Sequence, residues 1–228
     1  MRHLLFILLP LAIAACAAPP RGQLPAPTAA LEAPAPAPGA EVWQVTDSHL
    51  EIRVYRDGPM QKLGHDHLIT SDRLAGIIEQ REPLGASRFE LHLPLDSLVV
   101  DDQDARSRAG GAFALPVPEK DREATRRNML GERLLDAARQ GEISMTVESI
   151  TGGPRNYEAR VRVSLAGQDH VLAVPFELVI EDDRLVARAD LRLTHADLGL
   201  VPFAVALGAL RVRDEFEVGL TVEARRRS

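Results

Sequence analysis

Two histidines separated by one residue form the most chemically suggestive spot in the chain, Gly64-His65-Asp66-His67. In an extended backbone alternate side chains fall on one side, so His65 and His67 are expected to face the same way, about 7 Å apart. Two imidazoles so placed can ligate zinc, copper or haem iron, with Asp66 orienting one of them from behind. His170 and His195 are the residues that can complete such a set. A lone His-x-His has no metal-specific spacing, and two other roles are favoured over metal: hydrogen bonding at a corner turned by Gly64 first, then contact with a ligand headgroup at a cavity mouth. Enzymatic chemistry has little to build on. The only cysteine is Cys16. Ser48 precedes His49 and Ser97 follows Asp96, but neither lies in a nucleophile elbow. There is no glycine-rich phosphate loop. The expectation is a protein without catalysis and without a required cofactor.

Cys16 points to chemistry of another kind. Arg2 and His3 give a short basic start, Leu4 to Ile13 is apolar apart from Pro10, and small residues lead to Cys16. This is the layout of a secretory signal peptide. The apolar run of about ten residues spans roughly 15 Å as a helix, half of a ~30 Å bilayer core, so it does not cross a membrane. Ile13-Ala14-Ala15-Cys16 resembles a bacterial lipobox, which implies a diacylglycerol on the Cys16 sulfur. Residues 1–15 are therefore expected to be a signal peptide, with the mature protein in the periplasmic space and lipid-anchored to a membrane. Ala17 is not the Asp associated with inner-membrane retention, which favours the outer membrane. A single cysteine also excludes an intramolecular disulfide, so the domain must be held by its core.

Residues 16–40 form the lipidated cysteine and a Pro/Ala-rich tether. Pro25, Pro27, Pro34, Pro36 and Pro38 break any helix, and large apolar groups are too few for a core. As partly polyproline chain the tether reaches on the order of 70 Å, at ~3.1 Å per residue. Residues 41–225 are the right size for one domain, which can bury roughly 70% of its unfolded surface. The net charge of −6 and the absence of a basic stripe argue against nucleic acid as a partner. Asp101-Asp102-Gln103-Asp104 and Arg225-Arg226-Arg227 are expected to be solvated loop and tail.

Period-two alternation recurs through the domain. The apolar sets are Leu50/Ile52/Val54, Phe89/Leu91/Leu93/Leu95, Ile143/Met145/Val147 and Tyr157/Ala159/Val161/Val163/Leu165. Leu185/Ala187/Ala189/Leu191/Leu193 and Phe216/Val218/Leu220/Val222 complete them. Val171 to Ile180 is more continuously apolar, as for a strand buried on both faces. Asp121 to Gln140 is different: Met129, Leu130, Leu134, Leu135 and Ala138 recur at helical spacing, Gly141 fits the position after a helix, and Gly131 can split the segment into two shorter helices. Ala105 to Pro118 reads as a long loop. Many short strands with one apolar face each predict a mainly β fold. A sandwich or barrel fits, and closure into a barrel of about eight strands turns every apolar face inward and leaves no edge. One or two helices are inserted.

The order of segments resembles the YceI-like, polyisoprenoid-binding family. Trp43-Gln44-Val45-Thr46-Asp47-Ser48-His49-Leu50-Glu51-Ile52 is similar to its opening strand, and Leu63-Gly64-His65-Asp66-His67-Leu68-Ile69 to its His/Gly segment. Phe89 to Leu98, Glu142 to Ile150, Val163 to His170, Leu191 to Leu200 and Arg213 to Ala224 follow in the family's order. His195 stands where Arg or Ser is common, and Leu198 where Phe is common. The resemblance runs from about Glu41 to Ala224 and implies a lipocalin-like antiparallel barrel holding an isoprenoid, quinone-like or other apolar lipid chain. The cavity or mouth candidates are then His65, His67, Leu91, Leu93, Val161, Val163, Ala187, Ala189 and Phe216. Small inward residues such as Ala159, Ala187 and Ala189 leave room for a ligand or pack against large neighbours. A haem- or metal-handling envelope protein using His65 and His67, and a structural envelope protein with a filled barrel, are the alternatives.

Overall fold

The computed structural model describes residues 39–227. The signal peptide, Cys16 and all but the last two residues of the tether lie outside the described residues. The strands are β1 (Glu41–Asp57), β2 (His67–Ser71), β3 (Ala75–Gln80), β4 (Arg88–Pro94), β5 (Val99–Val100) and β6 (Glu142–Gly152). They continue with β7 (Asn156–Leu165), β8 (Gln168–Glu181), β9 (Arg184–Thr194), β10 (Ala204–Val205) and β11 (Leu210–Arg226). The helices are α1 (Gln103–Ala109), α2 (Glu119–Leu130) and α3 (Ala137–Gln140).

Eight of the strands close a ring in the order β1-β3-β4-β6-β7-β8-β9-β11 and back to β1, every pairing antiparallel. The closing β1–β11 ladder runs from Trp43↔Arg226 to Asp57↔Arg211. The fold is thus the expected closed antiparallel barrel, with three helices where the sequence led to one or two. The remaining strands are additions to the ring. β3 pairs only with Glu41 to Gln44 of β1, and β2 takes over from Leu50 to Val54. β2 then carries β5, and β10 flanks β11.

The alternation explains closure. On β7, Ala159, Val161, Val163 and Leu165 are buried while Glu158, Arg160 and Arg162 are exposed. The hairpin to β8 turns through Ala166 (φ 49°) and Gly167 (φ 76°). Two positive φ values match the right-handed twist of the strands, so the register is kept. β8 corrects the expectation of a strand buried on both faces. Leu172, Val174, Phe176 and Leu178 are only half-buried, and Val171, Ala173, Pro175 and Glu177 are exposed. The outer apolar residues of β8 are small or short, and among the described residues no element covers them.

α2 and α3 split the segment 121–140 as Gly131 allowed, with Gly131 ending α2 and Asp136 in left-handed geometry before α3. Met129, Leu130, Leu134, Leu135 and Ala137 pack against the main core formed by Leu91, Leu93, Leu95, Leu98, Val161 and Val163. They cover one end of the barrel. A smaller cluster of Trp43, Leu185 and Ala224 lies at the other end. There the Trp43 Nε1–H donates to Gln80 Oε1 (3.0 Å), and the Arg226 guanidinium lies 5.0 Å over the indole. All these core residues lie between Trp43 and Ala224, and residues 36–228 form one compact unit.

The expected loop Ala105 to Pro118 is also corrected, because it begins inside α1. The Asp102 side chain accepts the Ala105 N–H and caps that helix, as short acceptors do. Ala105 packs on Leu68 and Phe113 outside the ring.

Candidate functional site

The lumen holds an apolar void of about 120 Å³ in the half of the barrel away from the helices. Ile78, Phe89, Leu91, Ile150, Ala159, Val161, Val174, Phe176, Leu178, Leu185, Ala187 and Ala189 contribute to its wall. β9 turns two alanines, Ala187 and Ala189, toward the void, and the inner side chains of β8 that border it are only half-buried. Gln80, Ser87, Arg88 and Arg188 stand at its boundary, and their polar atoms contribute almost nothing to its surface; the first three are also engaged by the protein. Gln80 accepts from Trp43, Ser87 Oγ accepts the Arg81 N–H, and Arg88 donates to the carbonyls of Ala86 and Ser87. What the lumen presents to an occupant is therefore hydrocarbon. Enclosed apolar cavities of about 150 Å³ admit benzene.

Of the residues singled out in the sequence, Leu91, Val161, Ala187 and Ala189 line this void. Leu93 and Val163 do not: they lie one inward position nearer the helices and are packed into the main core. Phe216 is buried edge-on against His195, 5.1 Å between ring centres. Ile78, Phe176 and Leu178 line the void without having been singled out. Their strands were legible, but nothing in their order shows which inward residues face a gap.

His65 and His67 lie away from the void, under α2. Their rings meet edge to face with centres 6.3 Å apart, near the expected spacing. His67 shares a face of the β1–β2 ladder with Val54, and its Nδ1 lies 2.6 Å from Asp101 Oδ2. Asp101 Oδ1 accepts the Leu68 N–H (2.9 Å) and the Arg106 Nη1–H (2.6 Å). Arg106 also donates to the carbonyls of Asp66 (2.8 Å) and Leu115 (2.9 Å). Both Asp101 and Arg106 are buried from solvent. The expectation that Asp101 belongs to a solvated acidic loop is overturned. In the run Asp101-Asp102-Gln103-Asp104, the first carboxylate is a buried counter-ion and the second a helix cap.

Burial by itself raises the Asp101 pKa, but the hydrogen bond and charge of His67, the Leu68 N–H and the Arg106 guanidinium outweigh it. The carboxyl is held below its ordinary value. The network joins β2, the segment after β5 and α1, which share no ladder with one another beyond β2–β5. His65 Nε2 stands 3.6 Å from Asp121 Oδ2, and His67 Nε2 is 3.5 Å from Thr125 Oγ1. The His195 Nδ1–H donates to the Asp214 carbonyl (2.7 Å), and His170 lies against Gly199. Among the described residues no three His, Cys, Asp or Glu side chains converge as a metal ligand set. Asp66, cast as the orienting group behind a histidine, instead accepts the Arg56 N–H (2.9 Å). The residue that orients His67 is Asp101, which comes from 34 positions further along the chain.

No family model matches the sequence, and no curated protein does. Solved structures match the fold. BcnA of Burkholderia cenocepacia aligns with TM-score 0.55 and 8% identity, over 77% of this chain and 95% of its own. A polyisoprenoid-binding domain from Saccharophagus degradans, implicated in plant cell wall breakdown, aligns with TM-score 0.53 and 13% identity, over 82% of this chain and 99% of its own. A YceI protein of Campylobacter jejuni aligns over 68% of this chain and 82% of its own, with TM-score 0.48 and 8% identity. This chain thus has the closed antiparallel barrel fold of BcnA and of the polyisoprenoid-binding domain.

Proposed function

We propose that the barrel binds one end of an apolar lipid chain, of isoprenoid, quinone-like or fatty type, without catalysis. The observation that carries this reading is a lumen wall whose surface is almost wholly hydrocarbon. Burial of a chain there is favourable by roughly 0.8 kcal/mol per methylene. The polyisoprenoid-binding domain of Saccharophagus degradans, which shares the fold, supports the same class of ligand. The void of about 120 Å³ is smaller than the ~300 Å³ or more of sites for drug-sized ligands. It holds about one prenyl unit, and a longer chain has to displace the half-buried inner face of β8. The reading further places the protein in the periplasmic space, held to a membrane by lipid on Cys16, where such chains occur.

The test is native mass spectrometry of residues 36–228 purified from a bacterial envelope expression, followed by organic extraction. A co-purifying apolar chain at about one equivalent supports the proposal. A protein that carries none, and that takes up neither farnesol nor a short ubiquinone on titration, overturns it. Lipidation is tested separately, by palmitate labelling of the full chain and of Cys16→Ser, and is discarded if the two label alike.

A further inference from the structure

The ring of strands is closed but not zipped throughout. β8 and β9 are fourteen and eleven residues long, yet they pair over only five positions, from Glu181↔Arg184 at the hairpin to Glu177↔Arg188. Beyond Arg188, β9 stays paired to β11 as far as Thr194. Beyond Glu177, β8 stays paired to β7 as far as Gln168. Among the described residues no strand pairs with the two edges that then face each other, Val171 to Phe176 and Ala189 to Thr194.

Pro175 accounts for the break. The Leu178 N–H donates to the Arg155 carbonyl on the β7 side. Main-chain groups of successive residues point to opposite edges of a strand, so Glu177, Pro175, Ala173 and Val171 point theirs at β9. Two residues past Glu177↔Arg188 the register would set Pro175 against Asp190. Proline has no N–H to give, and it is tolerated where that side of the strand is left unpaired. The split therefore begins at Pro175. At its far end the turn His195–Leu198 closes it. A Cβ on Gly199 would stand 2.7 Å from His170 Cε1, so glycine lets this turn lie against the start of β8. The result is a window in the barrel wall, about 20 Å long on the β9 side at ~3.4 Å per residue.

The window opens on the void. Val174 and Phe176 from the unpaired part of β8, and Ala189 from that of β9, line it. The inward residues Leu172, Val174 and Phe176 are only half-buried, whereas Ala159, Val161 and Val163 on the fully paired β7 are buried.

We propose that the apolar chain leaves the lumen sideways between β8 and β9, its inner end in the void and the remainder along this window. The inference rests on the lumen reading and adds its selectivity: the site takes prenyl chains longer than the void, because their length is not bounded by the barrel. β8 can give way there because its β9 edge has no ladder to break, and the polar end of the ligand stays in water.

The full chain carrying Cys16→Ser, so that introduced cysteines are its only thiols, is compared with the same chain carrying Ala173→Cys and Arg192→Cys. These exposed positions face each other across the window when the register is continued. They are bridged with bis-methanethiosulfonates of increasing length until a link forms, and a reductant opens it again. Thermal melts monitor folding, and calorimetry reads the binding of geraniol, a short prenol, and of geranylgeraniol, a longer one. Bridging should weaken geranylgeraniol about tenfold or more, the burial of about two methylene groups. Geraniol should be unaffected, and reduction should restore the loss. In the open protein, amide exchange should be fast at Val171, Ala173 and Asp190 and slow at Val179 and Val186. Geranylgeraniol binding that is the same bridged or open overturns the proposal and leaves the lumen reading standing, whereas a parent that binds neither prenol overturns both. Slow exchange along the window overturns the proposal, since the strands would then be paired. So does a loss of geranylgeraniol in Leu84→Trp, at the barrel end beside Gln80, with none in the bridged protein.

Discussion

Replacing Ala189 by phenylalanine puts the lumen reading under direct strain. Ala189 is buried on β9 and borders the void of about 120 Å³. A phenyl ring in place of its methyl group adds about 100 Å³ at interior packing density, enough to fill most of that space. At ~24 cal/mol per Å³, an empty volume of this size corresponds to about 3 kcal/mol. Imperfect fit of the ring takes back about 1–3 kcal/mol. The melting temperature should therefore hold or rise by a few degrees, at ~2–4 °C per kcal/mol for a domain of this size. Binding moves the other way. A site that loses room for about five carbons loses about 4 kcal/mol of burial at ~0.8 kcal/mol per methylene, or close to a thousandfold in affinity. Farnesol titration by calorimetry reads the affinity, and native mass spectrometry reads the lipid retained from expression. Ala173→Phe on the exposed face of β8 is the matched control and should bind like the parent. If Ala189→Phe folds with an unchanged melting point and still binds farnesol with the parental Kd, the lumen is not the site and the reasoning fails.

The buried ion pair gives a second prediction. Asp101→Asn leaves the Arg106 guanidinium buried without a counter-ion and should cost about 3–5 kcal/mol, a drop of about 2 M in urea midpoint. Adding Arg106→Met should recover at least half of that, and additive losses would show that the two do not act as a pair. Because the folded pKa of Asp101 lies below its ordinary value of 3.8, its ionisation stabilises the fold above that pH. The stabilisation is lost as pH falls through the lowered value. The parent should thus lose stability on acidification below about pH 4 more steeply than Asp101→Asn, and parallel pH profiles would refute the assignment. Gly76→Ala should be among the most damaging small substitutions. Its Cβ would stand 2.1 Å from the Glu90 carbonyl oxygen at φ 153°, and loss of about 3 kcal/mol or more is expected by urea denaturation. A change under 1 kcal/mol would mean that β3 and β4 do not approach as described.

Alternation in β1, β4, β6, β7, β9 and β11 narrowed the fold to an antiparallel sandwich or barrel, because each strand carries one apolar face that must be hidden from water. Gly131 marked the end of α2 because glycine without a side chain weakens a helix wherever it stands. Composition also excluded a disulfide. These properties are local: they depend on neighbours two to four residues apart. The parts that sequence did not decide depend on distance. Asp101, Asp102 and Asp104 are the same residue type in one short run, and only the arrival of His67 from β2 and Arg106 from α1 makes Asp101 a buried counter-ion. The inward alternation of β7 places Val161 and Val163 alike, yet one borders a void and the other is packed beneath the helices, because α2 and α3 cover only one end. The sequence by itself determined which faces turn inward. Which of those inward side chains meet a neighbour and which leave room was decided by the tertiary structure, since packing across a barrel is a sum over strands that the chain order keeps far apart.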